Sequence, residues 1–179
     1  QSLLSALVGR EARYGPLHRL VIRSQIDLGS LEQQEGALAA AEARLRDALS
    51  RAERGLGEAH PYTFDALNAL AAVLRQQGKR EGAFRLQRTG FERRTAFFQR
   101  VLPVTGENAR EGYLRLHRRE LDAFLALLPD HPSGAEAGRA LLEVSLARKG
   151  LLLAIASDIA QIASLGLNPE LAGLTESLA

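Results

Sequence analysis

The sequence predicts an all-α fold: helix-turn-helix pairs stacked into a solenoid, followed by a C-terminal helical segment. Three observations carry that prediction. The apolar content of the 179 residues is built from Leu and Ala, with only 6 Phe, 3 Tyr and no Trp. Ala, Leu, Arg, Glu and Gln lose little on entering a helix, whereas the β-branched residues that a sheet favours are sparse here. The second observation is repetition. Gly36-Ala37-Leu38-Ala39-Ala40-Ala41 aligns with Gly78-Lys79-Arg80-Glu81-Gly82-Ala83 at a spacing of 42 residues. The third is apolar spacing at i, i+3, i+4 and i+7, the mark of an amphipathic helix.

The elements follow from these patterns in order. At the 42-residue offset Leu28 matches Leu70, Gly29 matches Ala71, Gln34 matches Gln76, Ala41 matches Ala83 and Ala48 matches Gly90. One period earlier Ala6, Glu11, Gly15 and His18 fall under Ala48, Glu53, Gly57 and His60, so the chain opens partway through one unit and then holds two more. Within the last unit, Phe64, Leu67, Leu70, Ala71 and Leu74 predict a helix from Pro61 to about Gln77, ended by Gly78. A second helix, about Arg80 to Arg100, carries Ala83, Leu86, Gly90, Phe91, Phe97 and Phe98. A pair this short buries its apolar face only by stacking on its neighbours.

This combination resembles tetratricopeptide repeats of the 42-residue, kinesin-light-chain-like type found in many bacterial proteins. The small residues Gly29, Ala41 and Ala48, then Ala71, Ala83 and Gly90, occupy the family's small positions, and the linker Gly57-Glu-Ala-His-Pro-Tyr-Thr63 resembles that type closely. Departures are Arg80 where an aromatic is frequent, Arg19 at the position of Pro61, and Gln25 in place of an apolar residue. The resemblance implies a right-handed solenoid over residues 1–102. It further implies a concave face, lined by the outward side of each first helix, that takes a protein or peptide partner. On that face the expected contact residues are Asp65, Asn68, Arg75 and Gln76, with Arg23 and Gln33 from the preceding unit. Ala72, Ile26, Ser30 and Gln34 are expected beside them. Asn68 is singled out because an amide offers both donor and acceptor to a peptide backbone.

Residues 103–179 keep helical patterning but lose the period. Tyr113, Leu116, Leu121, Phe124, Leu125 and Leu128 share one broad face. Ser133 is placed to cap a long helix with Gly150 as a candidate kink, Leu151 to Ala163 reads as buried helix, and Asn168-Pro169-Glu170 signals a last helix. The order Arg110 to Leu128, then Ala140 to Leu153, is similar to the region joining repeats to protease in TPR-CHAT proteins. There an Arg-Lys-Gly tripeptide (here Arg148-Lys149-Gly150) precedes a helix that leads into a caspase-like cysteine peptidase. That resemblance implies a regulatory region whose partner includes an adjacent CHAT peptidase domain. A free-standing tetratricopeptide adaptor with no enzyme attached is the alternative.

Composition limits the chemistry. There is no Cys, which removes disulfides, zinc-thiolate sites and a Cys nucleophile from these residues; no cofactor is expected. With no Met and Gln1 in first place, the sequence is expected to be an internal piece of a longer protein. No stretch reads as a signal peptide or membrane span, and a cytoplasmic location is expected. His60, directly before Pro61, has no His or Glu at ligand spacing and repeats His18, so it reads as punctuation between helices. The net charge of +2 hides a basic stretch, Lys79 to Arg119, with eleven Lys/Arg against four Asp/Glu. Phosphate contact by Arg85, Arg88, Arg93, Arg94 and Arg100, then Arg110, Arg115, Arg118 and Arg119, competes with a solvated or protein-facing helix surface. The absence of interleaved aromatics favours the latter. Glu42, Asp47 and Glu53 read as members of ordinary surface ion pairs.

Overall fold

The computed structural model describes residues 2–101 and 133–166, and between them Gly112, Arg115, Arg118, Leu121, Asp122, Phe124, Leu125 and Leu128. Its helices are α1 (Ser2–Tyr14), α2 (Arg19–Gln34), α3 (Leu38–Gly55), α4 (Pro61–Gln76), α5 (Arg80–Val101) and α6 (Gly134–Gly166). No strand occurs among the described residues. Each of α2 to α5 packs on the helix before it, and α2 also touches α4, so first helices of consecutive units lie side by side. The all-α solenoid and the boundaries expected for α4 and α5 agree with the sequence to within one residue.

A positive-φ glycine reverses the chain at each joint from α1 to α5. Gly15, Gly36, Gly57 and Gly78, spaced 21 residues apart, have φ of 80°, 80°, 91° and 76°. At Gly36 the following Ala37 N–H donates to Glu32 O at 2.8 Å; at Gly78 the Lys79 N–H donates to Leu74 O at 2.9 Å. These bonds satisfy carbonyls that a helix end leaves open, and the left-handed conformation they require is one glycine adopts without strain. At the start of α4, His60 Nδ1 accepts from Tyr62 N–H at 3.1 Å, and Thr63 Oγ1 donates to Gly57 O at 2.7 Å. His18 Nδ1 accepts from Leu20 N–H at 3.3 Å at the start of α2. Both histidines are therefore N-caps, which serve an otherwise orphaned backbone donor.

Three apolar clusters hold the stack among the described residues, the smallest being Leu7 of α1 with Val21 and Leu28 of α2. One joins Ile22 and Ile26 of α2, Ala41, Leu45, Ala48 and Ala52 of α3, Ala66, Leu70, Ala71, Val73 and Leu74 of α4, and Ala83 of α5. Gly29 sits tightly against α3: a Cβ there would lie 2.6 Å from Leu45 Cγ. At Gly90 the same construction finds only Leu67 Cδ1 at 3.7 Å, an ordinary contact. The substituted position Gln25 is buried. Its amide donates to Asp47 Oδ2 at 3.1 Å, while its Oε1 has no partner among the described residues.

The second cluster uses the far side of α5. Phe84 and Phe91 meet Leu121, Phe124, and Ala140 and Val144 of α6; Phe84 and Phe124 ring centroids lie 5.3 Å apart. Helix α5 thus has two buried faces, and Phe84, absent from the face predicted for it, belongs to the second. Ser133 caps α6 as expected, with Oγ accepting from Glu136 N–H at 3.3 Å. The helix then runs without interruption through Arg148, Lys149 and Gly150, so the tripeptide lies inside a helix rather than ahead of one. Leu153, expected to be buried, is 70% exposed, in line with Leu142 and Leu146 at 64% and 66%. The last helix expected at Asn168 lies outside the described residues.

Ion pairs tie consecutive units together. Glu11 pairs with Arg51 at 2.5 Å, and 42 residues on Glu53 pairs with Arg93 at 2.6 Å. Glu42 holds both Lys79 at 2.7 Å and Arg46 at 2.8 Å. Expected to form ordinary surface pairs, Glu42 and Glu53 instead bridge helices from half-buried positions; Asp47, paired with Arg51 one turn on, fits the expectation.

Candidate functional site

Helices α2 and α4 run in the same direction because α3 reverses the chain between them. Their outward faces form the surface where contact residues were expected. Arg23, Asp65, Asn68, Arg75 and Gln76 are exposed there and Gln33 is half-buried. Of the neighbours expected beside them, Gln34 is exposed and Ser30 and Ala72 are half-buried. Ile26 is not on the open face: it is 5% exposed and belongs to the cluster with Ala66 and Leu70. Its equivalent 42 residues on, Asn68, is open to solvent.

The face has two ends of different character. At the N-terminal end Arg23 Nε donates to Asp27 Oδ1 at 2.9 Å, and its guanidinium stands 5.6 Å from the Tyr62 ring centroid. Hydrogen bonds to Asp27 and then the Tyr62 hydroxyl hold Arg23 more firmly protonated than a free arginine. Asp65 keeps contact with water, but the protein around it pushes its carboxyl above the ordinary value; Asp27 adds to this, and Arg23, Arg94 and His60 oppose it. Asn68, one helical turn from Asp65, makes no hydrogen bond among the described residues and keeps its amide available. Seven and eight residues further along α4, roughly 10 Å at 1.5 Å per residue, Arg75 and Gln76 form the other end with Gln33 and Gln34. The expected residues therefore share one face but not one point.

Two members of the charged end, Asp27 and Tyr62, were not expected as contacts. Their signals were present: Arg23 and Asp27 stand at i, i+4, and Arg23 and Asp65 are 42-residue equivalents of opposite charge. The basic stretch, by contrast, is partly consumed within the fold. Arg94 is 6% exposed with its guanidinium 3.6 Å from the Phe64 ring centroid, Arg93 pairs with Glu53, and Arg88 pairs with Glu92 and Glu143. Burial of Arg94 removes it from the surface weighed for phosphate contact. No group of three or more acids and histidines able to hold a metal occurs among the described residues.

With this geometry the chain was compared with known proteins. Residues 20–96 match the tetratricopeptide repeat family model. The match begins one residue into α2 and ends within α5, so it covers most of both helix pairs. Among curated proteins none matches the chain. The match supports tetratricopeptide repeats over residues 20–96, a family that suggests a protein–protein interaction module. No helix among the described residues is long and apolar enough to cross a membrane.

Proposed function

We propose that the tetratricopeptide repeats, of the 42-residue kinesin-light-chain-like type, are the sensing arm of a larger cytoplasmic protein. Residues 1–102 receive a protein or peptide partner on the shared face of α2 and α4, and residues 103–179 connect that arm to a caspase-like peptidase of the CHAT type outside this chain. The observation that carries the binding half is the open polar face of α4, where Asn68 has an uncommitted amide beside the charged group of Arg23, Tyr62 and Asp65. An amide pairs with a peptide bond in both directions, and the flanking charges select side chains. The connecting half rests on the sequence resemblance over Arg110 to Leu128 and Ala140 to Leu153.

Two measurements test this. The parent gene is expected to encode a domain with a His/Cys dyad beyond Ala179; a complete reading frame without one leaves the free-standing adaptor in its place. In the parent protein, Asn68→Ala with Arg75→Ala is expected to weaken partner binding about tenfold, the loss of one or two polar contacts. Helical circular dichroism and Tm should hold. Unchanged binding moves the site off this face.

A further inference from the structure

Beyond the concave face, we infer that the turn between α4 and α5 is a second interaction surface, built to take an acidic peptide segment. A cavity of about 560 Å³ opens there, lined by Arg46, Leu74, Gly78, Lys79, Arg80, Glu81, Gly82 and Arg85. Four cations thus face one carboxylate. Lys79 and Arg46 are fixed by their bonds to Glu42, at 2.7 and 2.8 Å. Arg80 forms no ion pair among the described residues, and Arg85, its side chain 73% exposed, has only Glu81 at 3.9 Å. Two cations are anchored and two are available, which is the arrangement a carboxylate ligand needs.

The molecule contains its own control for what the turn itself requires. Forty-two residues earlier, the eight equivalent positions are Leu4, Glu32, Gly36, Ala37, Leu38, Ala39, Ala40 and Ala43, with no cation among them. That turn closes in the same way. Leu38 N–H donates to Gly36 O at 2.8 Å and Ala41 N–H to Ala37 O at 3.0 Å; the counterparts Arg80 to Gly78 and Ala83 to Lys79 measure 2.9 and 3.1 Å. The reversal needs the glycine and nothing of the charge; Lys79 and Arg46 serve Glu42, so Arg80 and Arg85 are the cations that answer to something outside the fold.

The lining distinguishes a peptide from a nucleic acid. No aromatic residue lines the cavity to stack a base. A second cavity of about 280 Å³ continues from it through the shared residues Glu81 and Arg85, adding Arg88, Arg139, Phe84 and Glu136. Three cations there, Arg85, Arg88 and Arg139, are interspersed with two acids, Glu81 and Glu136, which suits carboxylates separated by other residues and opposes a uniformly charged phosphate backbone. Guanidinium groups bind carboxylates through paired parallel hydrogen bonds, so Arg80 and Arg85 are the expected anchors.

Fluorescence anisotropy with the 179-residue chain tests this at about 0.15 M salt, where long-range attraction is screened. The probe is a fluorescein-labelled Asp-Glu-Leu-Asp-Glu-Leu peptide, with Asn-Gln-Leu-Asn-Gln-Leu and an oligo-dT of equal charge as comparators. Saturable binding of the acidic peptide is expected, weakened about tenfold or more by Arg80→Ala with Arg85→Ala and unaffected by Asn68→Ala. Circular dichroism confirms that each variant folds. The inference is overturned by no binding of the acidic peptide, by equal binding of the amide peptide, by tighter binding of oligo-dT, or by a double variant that binds as before. A loss on Asn68→Ala instead would return the peptide to the concave face.

Discussion

Gly29 and Gly90 occupy positions that the 42-residue period treats alike in character, yet the structure separates them. Adding a methyl at Gly29 places it 2.6 Å from Leu45 Cγ, and Leu45 is fully buried, so α2 and α3 must move apart. Gly29→Ala is expected to destabilise by about 1–3 kcal/mol, the usual range for overpacking. At Gly90 the methyl meets only an ordinary contact within a helix interior, where alanine is favoured over glycine by about 1 kcal/mol. Gly90→Ala is expected to stabilise, and urea unfolding of both variants should move the midpoint in opposite directions. Legibility at this scale divides along the same line. His60 was readable because a cap is local chemistry, set by the two residues that follow it. Ile26 and Arg94 were misplaced because a period tells which side of a helix a residue takes, not whether another element lies over that side.

Helix pairs are joined by charge as well as by apolar contact, and Glu42 is the clearest case. Lys79, then Arg46, then Gln77 donate to its carboxylate and bring it down from an ordinary value of 4.5 to about 2. A carboxyl depressed on folding adds stability that is complete above its unfolded value and lost as pH falls through the folded one. The contribution of Glu42 is therefore present at neutral pH and fades between pH 4.5 and about 2. Glu42→Gln is expected to lower the urea midpoint at pH 7 and to become indistinguishable from the parent near pH 2; a constant difference across that range would place its role in packing instead. Helix existence and ends were legible because capping residues, glycines and apolar spacing all lie within a few residues of each boundary. The bridges of Glu42 and Glu53 were not, since helical spacing offers arginines on the same helix and only the stacked geometry selects the next one. Helix α5 shows the same limit: its face toward α4 was legible from Ala83 and Gly90, but Phe84 faces a segment the period does not reach.

Among the described helices, contacts run between neighbours in the chain and between α2 and α4, and the four glycine joints set how each helix from α1 to α5 meets the next. The general face for a partner was legible from the resemblance, whereas its charged end required α2 and α4 to be laid side by side. The joints themselves carry a consequence of handedness. Gly15, Gly36, Gly57 and Gly78 hold φ near +80° to +91° with no atom within 4 Å of an added Cβ. An L-alanine there has room but the wrong chirality, at a cost of about 1–2 kcal/mol. A D-alanine has both room and the matching backbone preference, and it narrows the unfolded ensemble, a gain of about 0.4–1 kcal/mol. Semisynthesis of the chain with each enantiomer at Gly36 should yield Tm values on either side of the parent. At four points spaced 21 residues apart the backbone follows the mirror image of its ordinary geometry, and a solenoid made entirely of L-residues keeps its course only because glycine has no hand.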